Sequence, residues 1–245
     1  MLHGSLKTGD ARFAVPVPDG RSNPGATSVM STPTLDINEI FYSVQGESSW
    51  AGMPCIFVRL SFCNLRCSWC DSEYTFAPGT EMNLDAIVET VASYPCRLVE
   101  VTGGEPLLQE QTGPLMTRLC DAGYTVLLET SGSLDVSRVD PRVHRIVDLK
   151  CPGSGMRERN RYQVLSDLTQ RDELKFVVAD RTDYEWARDQ VRDRDLAAVC
   201  TVLMSPVFGR LENVRLAEWI LEDALPVRFQ VQVHKYIWAP DRRGV

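Results

Sequence analysis

Residues 55 to 71 read CIFVRLSFCNLRCSWCD, an apolar run that passes directly into three cysteines. The run has little polar alternation, as expected of a strand covered on both faces. Behind it stands C-x3-C-x2-C, formed by Cys63, Cys67 and Cys70, with Asp71 immediately after. Sulfur ligands thus sit just past the C-terminal end of a strand. In sheets of parallel strands, that is where the chemistry lies.

Working outward, the same kind of run recurs. RLVEVT (97–102), YTVLLET (124–130), RIVDLK (145–150), ELKFVVA (173–179), VCTVLM (199–204) and RFQVQVH (228–234) all read as strands. Helix signals lie between them. Asn83 is placed to cap a helix with Leu84, Ile87, Val88 and Val91 on one stripe. Thr112 opens another, with Pro114 in its first turn and Gly123 just past its end. Asn213 heads a third, with Val214, Ala217 and Leu221 as its expected apolar stripe. Strand–helix alternation predicts an α/β fold, a partial and open β/α barrel of about six to seven mostly parallel strands. This domain is expected over 34–245. Residues 1–33, rich in Gly, Pro, Ser and Thr, are expected to be a flexible leader or expression remnant, with Met30 available as a natural start.

The 245 residues carry a net charge of -7 and a pI near 5.1, which argues against a nucleic-acid-binding surface. No run of eighteen apolar residues exists to span a membrane. Without an apolar export segment, the eight cysteines are expected to stay reduced in the cytoplasm, where clustered thiols favour a metal over disulfides.

A closed structural zinc site needs four protein ligands. This loop offers three, the other cysteines stand singly, and the chain has only three histidines. A cluster of four irons held by three thiolates leaves one iron open to a small molecule. Further along, VTGGEP (101–106) ends the second strand with two glycines that let a ligand approach the backbone. By itself this is also an ordinary strand-exit turn.

Together, the three-cysteine loop and the GGE segment resemble those of radical S-adenosylmethionine (SAM) enzymes. The resemblance implies one 4Fe–4S cluster on Cys63, Cys67 and Cys70, whose open iron chelates the amino and carboxylate groups of SAM. The cluster's electron cleaves the sulfonium to give a 5′-deoxyadenosyl radical. Trp69 is implied near the adenine, and the methionyl amino group falls at Gly104 and Glu105. By position along the strands, Cys70, Asp71, the Ser131–Gly132 turn, Asp148, Leu149, Lys150, Ser205 and Pro206 are further SAM candidates. Each could equally be a plain turn or a solvated charge.

FYSVQGE (41–47), AGMPCIFVRLSFCNLRCSWCD (51–71), TGGEPLLQ (102–109), LETSG (128–132), DLKCPGSG (148–155), ELKFVV (173–178) and HKYIW (234–238) occur in an order that resembles the 7-carboxy-7-deazaguanine synthases of queuosine biosynthesis. That family rearranges 6-carboxy-5,6,7,8-tetrahydropterin to 7-carboxy-7-deazaguanine with loss of ammonia, regenerating SAM with assistance from Mg2+. The implied substrate residues are Val44, Gln45, Gly46, Glu47, Arg59, Thr102, His234 and the final carboxylate at Val245. Glu47 can accept from pterin N–H groups, Gln45 can donate and accept, and the Arg59 fork can clamp the carboxylate. The alternatives are an ion pair for Arg59 and simple packing for His234.

Ser72 departs from the threonine that follows the aspartate in many relatives. It keeps the oxygen for magnesium, or else caps a helix. A homodimer and a flavodoxin-like reducing partner are further expectations from the resemblance. The rival readings are a glycyl-radical-enzyme activase and a non-catalytic iron–sulfur redox sensor.

Overall fold

The structure is a computed structural model that describes residues 33–245. The leader expected at 1–33 lies outside the described residues apart from Pro33. The chain opens with β1 (Thr34–Val44), β2 (Pro54–Leu60), β3 (Thr80–Asn83), α1 (Leu84–Ala92) and β4 (Leu98–Gly103). It continues through α2 (Thr112–Asp121), β5 (Thr125–Thr130), β6 (His144–Asp148), β7 (Glu173–Val178) and α3 (Arg181–Asp193). It closes with α4 (Leu196–Val199), β8 (Thr201–Pro206), α5 (Asn213–Glu222), β9 (Arg228–Phe229) and α6 (His234–Ile237).

One sheet of nine strands runs in the order β3-β1-β2-β4-β5-β6-β7-β8-β9. From β2 through β9 every neighbouring pair is parallel. These are the seven strands read from the sequence, in an open sheet. The two additional strands are β1 and β3, which extend the β2 edge antiparallel. β1 half escapes the apolar signature because its polar residues Asp36, Asn38 and Glu39 alternate with buried Leu35 and Ile37.

Two apolar layers explain why the central strands read as they do. Ile56, Val58, Val99, Val101, Val126, Leu128, Leu174 and Phe176 face the helices in the main core. Their neighbours Cys55, Phe57, Leu98, Leu127 and Ile146 meet on the inner face as a second cluster. Each fully buried aliphatic or aromatic side chain contributes about 1.5–3 kcal/mol relative to exposure. The inner cluster is a floor. One step along the strands, towards their C-terminal ends, the inner positions become polar: Arg59, Glu100, Glu129, Asp148 and Lys175.

α1 begins as read, with the Asn83 side chain accepting from the Ala86 N–H at 2.8 Å. Gly123, at φ 81°, follows α2 as expected. α5 buries a different stripe from the one expected. Leu216 and Ile220, an i, i+4 pair, face the core, while Val214 is 56% and Leu221 78% exposed. α3 was not read at all. Its sequence is dominated by charge, and only Tyr184, Ala187 and Val191 hold its apolar stripe. The last strand is also shorter than RFQVQVH. After Phe229 the chain leaves the sheet, Val233 donates its N–H to the Gly46 carbonyl at 2.8 Å, and His234 starts a helical turn.

Candidate active site

A cavity of about 570 Å³ opens over the polar rung, at the C-terminal ends of the strands. Cys63, Cys67 and Cys70 all line it, supplied by the loop after β2. Burial pushes the thiols of Cys63 and Cys67 up from their ordinary range. The loop is seated by Ser68, whose N–H donates to the Ser154 carbonyl at 3.0 Å and whose hydroxyl donates to that of Gly153 at 2.8 Å. Among the described residues, no three His, Cys, Asp or Glu side chains are gathered for a single ion. Three thiols that line one cavity without converging on a single point suit a multi-iron cluster with one thiolate per iron.

Gly103 and Gly104 end β4 beside that loop. A Cβ on Gly104 would meet the Phe62 carbonyl oxygen at 2.1 Å and the Cys63 Cβ at 2.8 Å. The glycine is what lets β4 press against the cysteine loop. Gly104→Ala is therefore expected to lower stability by about 1–3 kcal/mol, the cost of overpacking against backbone, as read in thermal unfolding. Wild-type unfolding in this variant would show that the loop yields freely.

The cavity collects Val44, Gln45, Gly46, Glu47, Arg59 and Thr102 together with Trp69, Asp71, Ser131, Asp148 and Lys150. Ser72, His234 and Val245 line it too. Four sequence candidates do not. Glu105 is wholly buried, and its carboxylate accepts from the Thr130 hydroxyl at 2.8 Å and from the Ser131 N–H at 2.8 Å. It thereby sets the Ser131 turn from behind. The Leu149 side chain belongs to the helix-facing core. Ser205 is buried beneath the lining, and Pro206 lines a neighbouring cavity of about 410 Å³. Both are the closing residues of β8, where the sequence suggested a turn.

Several candidates carry partners. Glu47 accepts from Lys175 Nζ and from Gln232 Nε2, each at 2.9 Å. Burial alone would raise its pKa, but the Lys175 ammonium and these bonds hold it below the usual carboxylate range. Gln45 Nε2 donates to Glu100. Burial, reinforced by the charges of Glu129 and Glu47, pushes Glu100 well up. Arg59 pairs with Glu39 at 2.9 Å, so the ion-pair alternative holds in the chain alone. Asp71 accepts from Lys235 at 2.8 Å and from Gln232 at 3.1 Å. Burial pushes the His234 pKa down, which favours a neutral imidazole. Its ring lies so close to Gly46 that a Cβ there would fall 2.1 Å from Nδ1.

Among the described residues, Asp148 Oδ1 and Ser205 Oγ are buried without a hydrogen-bond partner. The Ser72 hydroxyl makes no capping bond to the short helix it precedes. Residues 240–245 fold inward over the mouth, where Arg243 lies 3.9 Å from the Tyr74 ring centre and bonds Asn38 at 3.0 Å.

Lys175, Glu100, Glu129, Gln232 and Tyr74 line the cavity and were missed by the sequence reading. The available signal was a charge in the middle of an otherwise apolar strand, which must be paired if it is buried.

The profile of the Radical SAM superfamily matches residues 58–151. The 7-carboxy-7-deazaguanine synthase of Chlorobaculum tepidum is 51% identical over 220 residues, spanning 88% of this chain and all of the relative. That of Koribacter versatilis is 49% identical, over 86% of this chain and all of the relative. The chain belongs to the 7-carboxy-7-deazaguanine synthase family. The crystal structure of QueE from Escherichia coli superposes with a TM-score of 0.65 at 25% identity, covering 82% of this chain and 95% of that one. Superfamily membership brings a 4Fe–4S cluster, SAM, a small-molecule substrate and the need for a reductant. The three thiols lining the cavity and the unpartnered Asp148 Oδ1 fit those groups.

Proposed function

We propose that this chain converts 6-carboxy-5,6,7,8-tetrahydropterin to 7-carboxy-7-deazaguanine with loss of ammonia. The observation that supports it most is a single cavity lined both by three thiols and by Gln45, Glu47, Arg59 and Thr102. When bound, the cluster and SAM supply the hydrogen-abstracting radical. The chain's own residues do the rest. Cys63, Cys67 and Cys70 hold the cluster, and Trp69, Gly104, Ser131, Asp148 and Lys150 surround SAM. Glu47 accepts from the amino and ring N–H groups of the pterin, while Gln45 is held to Glu100 beside it. Arg59 exchanges Glu39 for the substrate carboxylate. His234 and Val245, which also line the cavity, contact the substrate. Anaerobic turnover of the carboxy-tetrahydropterin with SAM and reductant, followed by mass analysis, tests the assignment. Formation of a glycyl radical on a protein substrate instead would favour the activase.

Magnesium belongs to the same proposal, held by the Ser72 hydroxyl and the substrate carboxylate with water completing the shell. The hydroxyl lines the cavity and makes no capping bond. Ser72→Ala is expected to blunt the acceleration by magnesium while leaving iron content and SAM binding unchanged, and Ser72→Thr to retain it. An undiminished magnesium response in Ser72→Ala would remove this residue from the metal site. A homodimer, a flavodoxin-type donor and a cytoplasmic location complete the reading, on the strength of the family likeness. No helix among the described residues is long and apolar enough to cross a membrane.

A further inference from the structure

The buried cation on the cavity floor has no role in the function proposed above. Lys175 stands mid-strand in β7 and is 4% exposed. Its ammonium meets carboxylates from three separate segments. Glu47 lies at 2.9 Å, from the loop after β1; Glu129 of β5 is in direct contact; and Asp148, at the end of β6, lies at 4.0 Å. Asp148 is also held by Lys150 at 2.9 Å. A fourth carboxylate, Glu100 of β4, lines the same floor and bonds Gln45.

Holding strands together does not explain this arrangement. Apolar side chains of similar volume in place of a buried ion cluster are often neutral or stabilising. The floor below is already apolar. The cluster begins where the cavity begins, so its use is towards a ligand.

The two oxygens of Glu47 are bound from different sides, Oε2 by Lys175 and Oε1 by Gln232. A carboxylate has about four acceptor positions. Two therefore remain, with the carboxylate plane fixed by its two donors. We infer that Lys175 is a positioning residue that holds Glu47 as an oriented, charged acceptor for the N–H edge of the substrate. The inference rests on the pterin reading given above.

Its physical content is electrostatic. Glu47 is faced by Glu100, Glu129 and Asp71, by the imidazole of His234, and by Lys175 and Gln232. Without the ammonium, burial and three neighbouring carboxylates drive Glu47 to take up a proton. A protonated Glu47 presents an O–H where the substrate presents N–H, so donor meets donor. Glu100 shows the same forces at work, since burial and its acidic neighbours push it up although Lys175 opposes them.

The test uses the reconstituted enzyme with Lys175→Met, Glu47→Gln and the double variant. Lys175→Met is expected to raise KM for the carboxy-tetrahydropterin at least tenfold, with iron content and SAM affinity within twofold of wild type. Its kcat/KM should climb with pH as Glu47 gives up the acquired proton, over a range where the wild type is flat. The double variant should be no worse than Lys175→Met alone, because the charge that needed holding is gone. A second readout needs no substrate. Glu100, which burial already pushes up, and Glu129, which loses the same ammonium, contribute protonated-carboxyl infrared bands of their own, so the expected signature is one carbonyl component gained in Lys175→Met and lost again in the double variant. An unchanged KM, a loss independent of pH, multiplying losses in the double variant, or identical carbonyl bands in Lys175→Met and the double variant would each overturn the inference. If the wild type does not turn over the pterin, the functional reading fails, and the infrared band alone then decides whether Lys175 keeps Glu47 charged. Should Lys175→Met not fold, Lys175→Gln serves for the same measurements.

Discussion

Cys63→Ala, Cys67→Ala and Cys70→Ala are each expected to yield folded protein without a 4Fe–4S cluster and with no SAM cleavage. All three side chains line the cavity wall, and none belongs to either apolar cluster, so removing a thiol there leaves the core intact. With three protein ligands for four irons, each thiolate holds an iron that no other described cysteine or histidine is gathered with it to hold. Cys96 and Cys120 provide the control. Cys96 donates its thiol to the Pro54 carbonyl at 3.2 Å, and Cys120 packs against the core from α2. Alanine at either position should keep full iron content. Iron analysis and the spectrum of the reduced cluster, with and without SAM, measure both. A fourth cysteine equally necessary for iron would defeat the open-iron reading. A reduced-cluster spectrum indifferent to SAM would favour the redox sensor.

Glu47→Gln and Arg59→Lys are expected to assemble the cluster and bind SAM normally while processing the pterin at least about tenfold less efficiently, the factor that 1.4 kcal/mol represents. A hydrogen bond to a charged group contributes roughly 1.5–3 kcal/mol, so the loss of one suffices. In Glu47→Gln the amide has one acceptor oxygen where the carboxylate has two, and Lys175 and Gln232 already claim acceptors there. Arg59→Lys keeps the charge but loses the planar fork that must let go of Glu39 and take up the substrate carboxylate. Steady-state turnover and SAM affinity on the same preparations separate the two halves of the cavity. Wild-type efficiency in both variants would place the pterin pocket elsewhere.

The sequence revealed the parts of the fold and site whose signals are local. Seven parallel strands were legible because their apolar runs face helices on one side and the inner floor on the other. The cysteine loop was legible as a spacing. Glu100, Glu129 and Lys175 were not singled out, although each sits in a quoted segment. A charge inside LVEVT or ELKFVV has meaning only through its partner, and Lys175 finds Glu47 across 128 residues of chain. Glu105 illustrates the converse. The GGE motif drew it towards the ligand, but its carboxylate turns away to fix the Ser131 turn. On α5, apolar residues at Val214 and Leu221 outweighed Leu216 and Ile220 on paper. Which stripe is buried depends on β8 and β9, against which the helix packs.

The mouth of the cavity is built from distant parts of the sequence. Gln232 reaches Glu47 across 185 residues, Lys235 reaches Asp71 across 164, and Arg243 reaches Asn38 across 205. Contacts so remote cannot guide early folding, because the loops between them must close before any of them forms. The sheet and its cysteine loop need only neighbours nearer in sequence and can mature while synthesis is still under way. The sheet and its three cysteines thus come together first, and residues 232–243 cover them last.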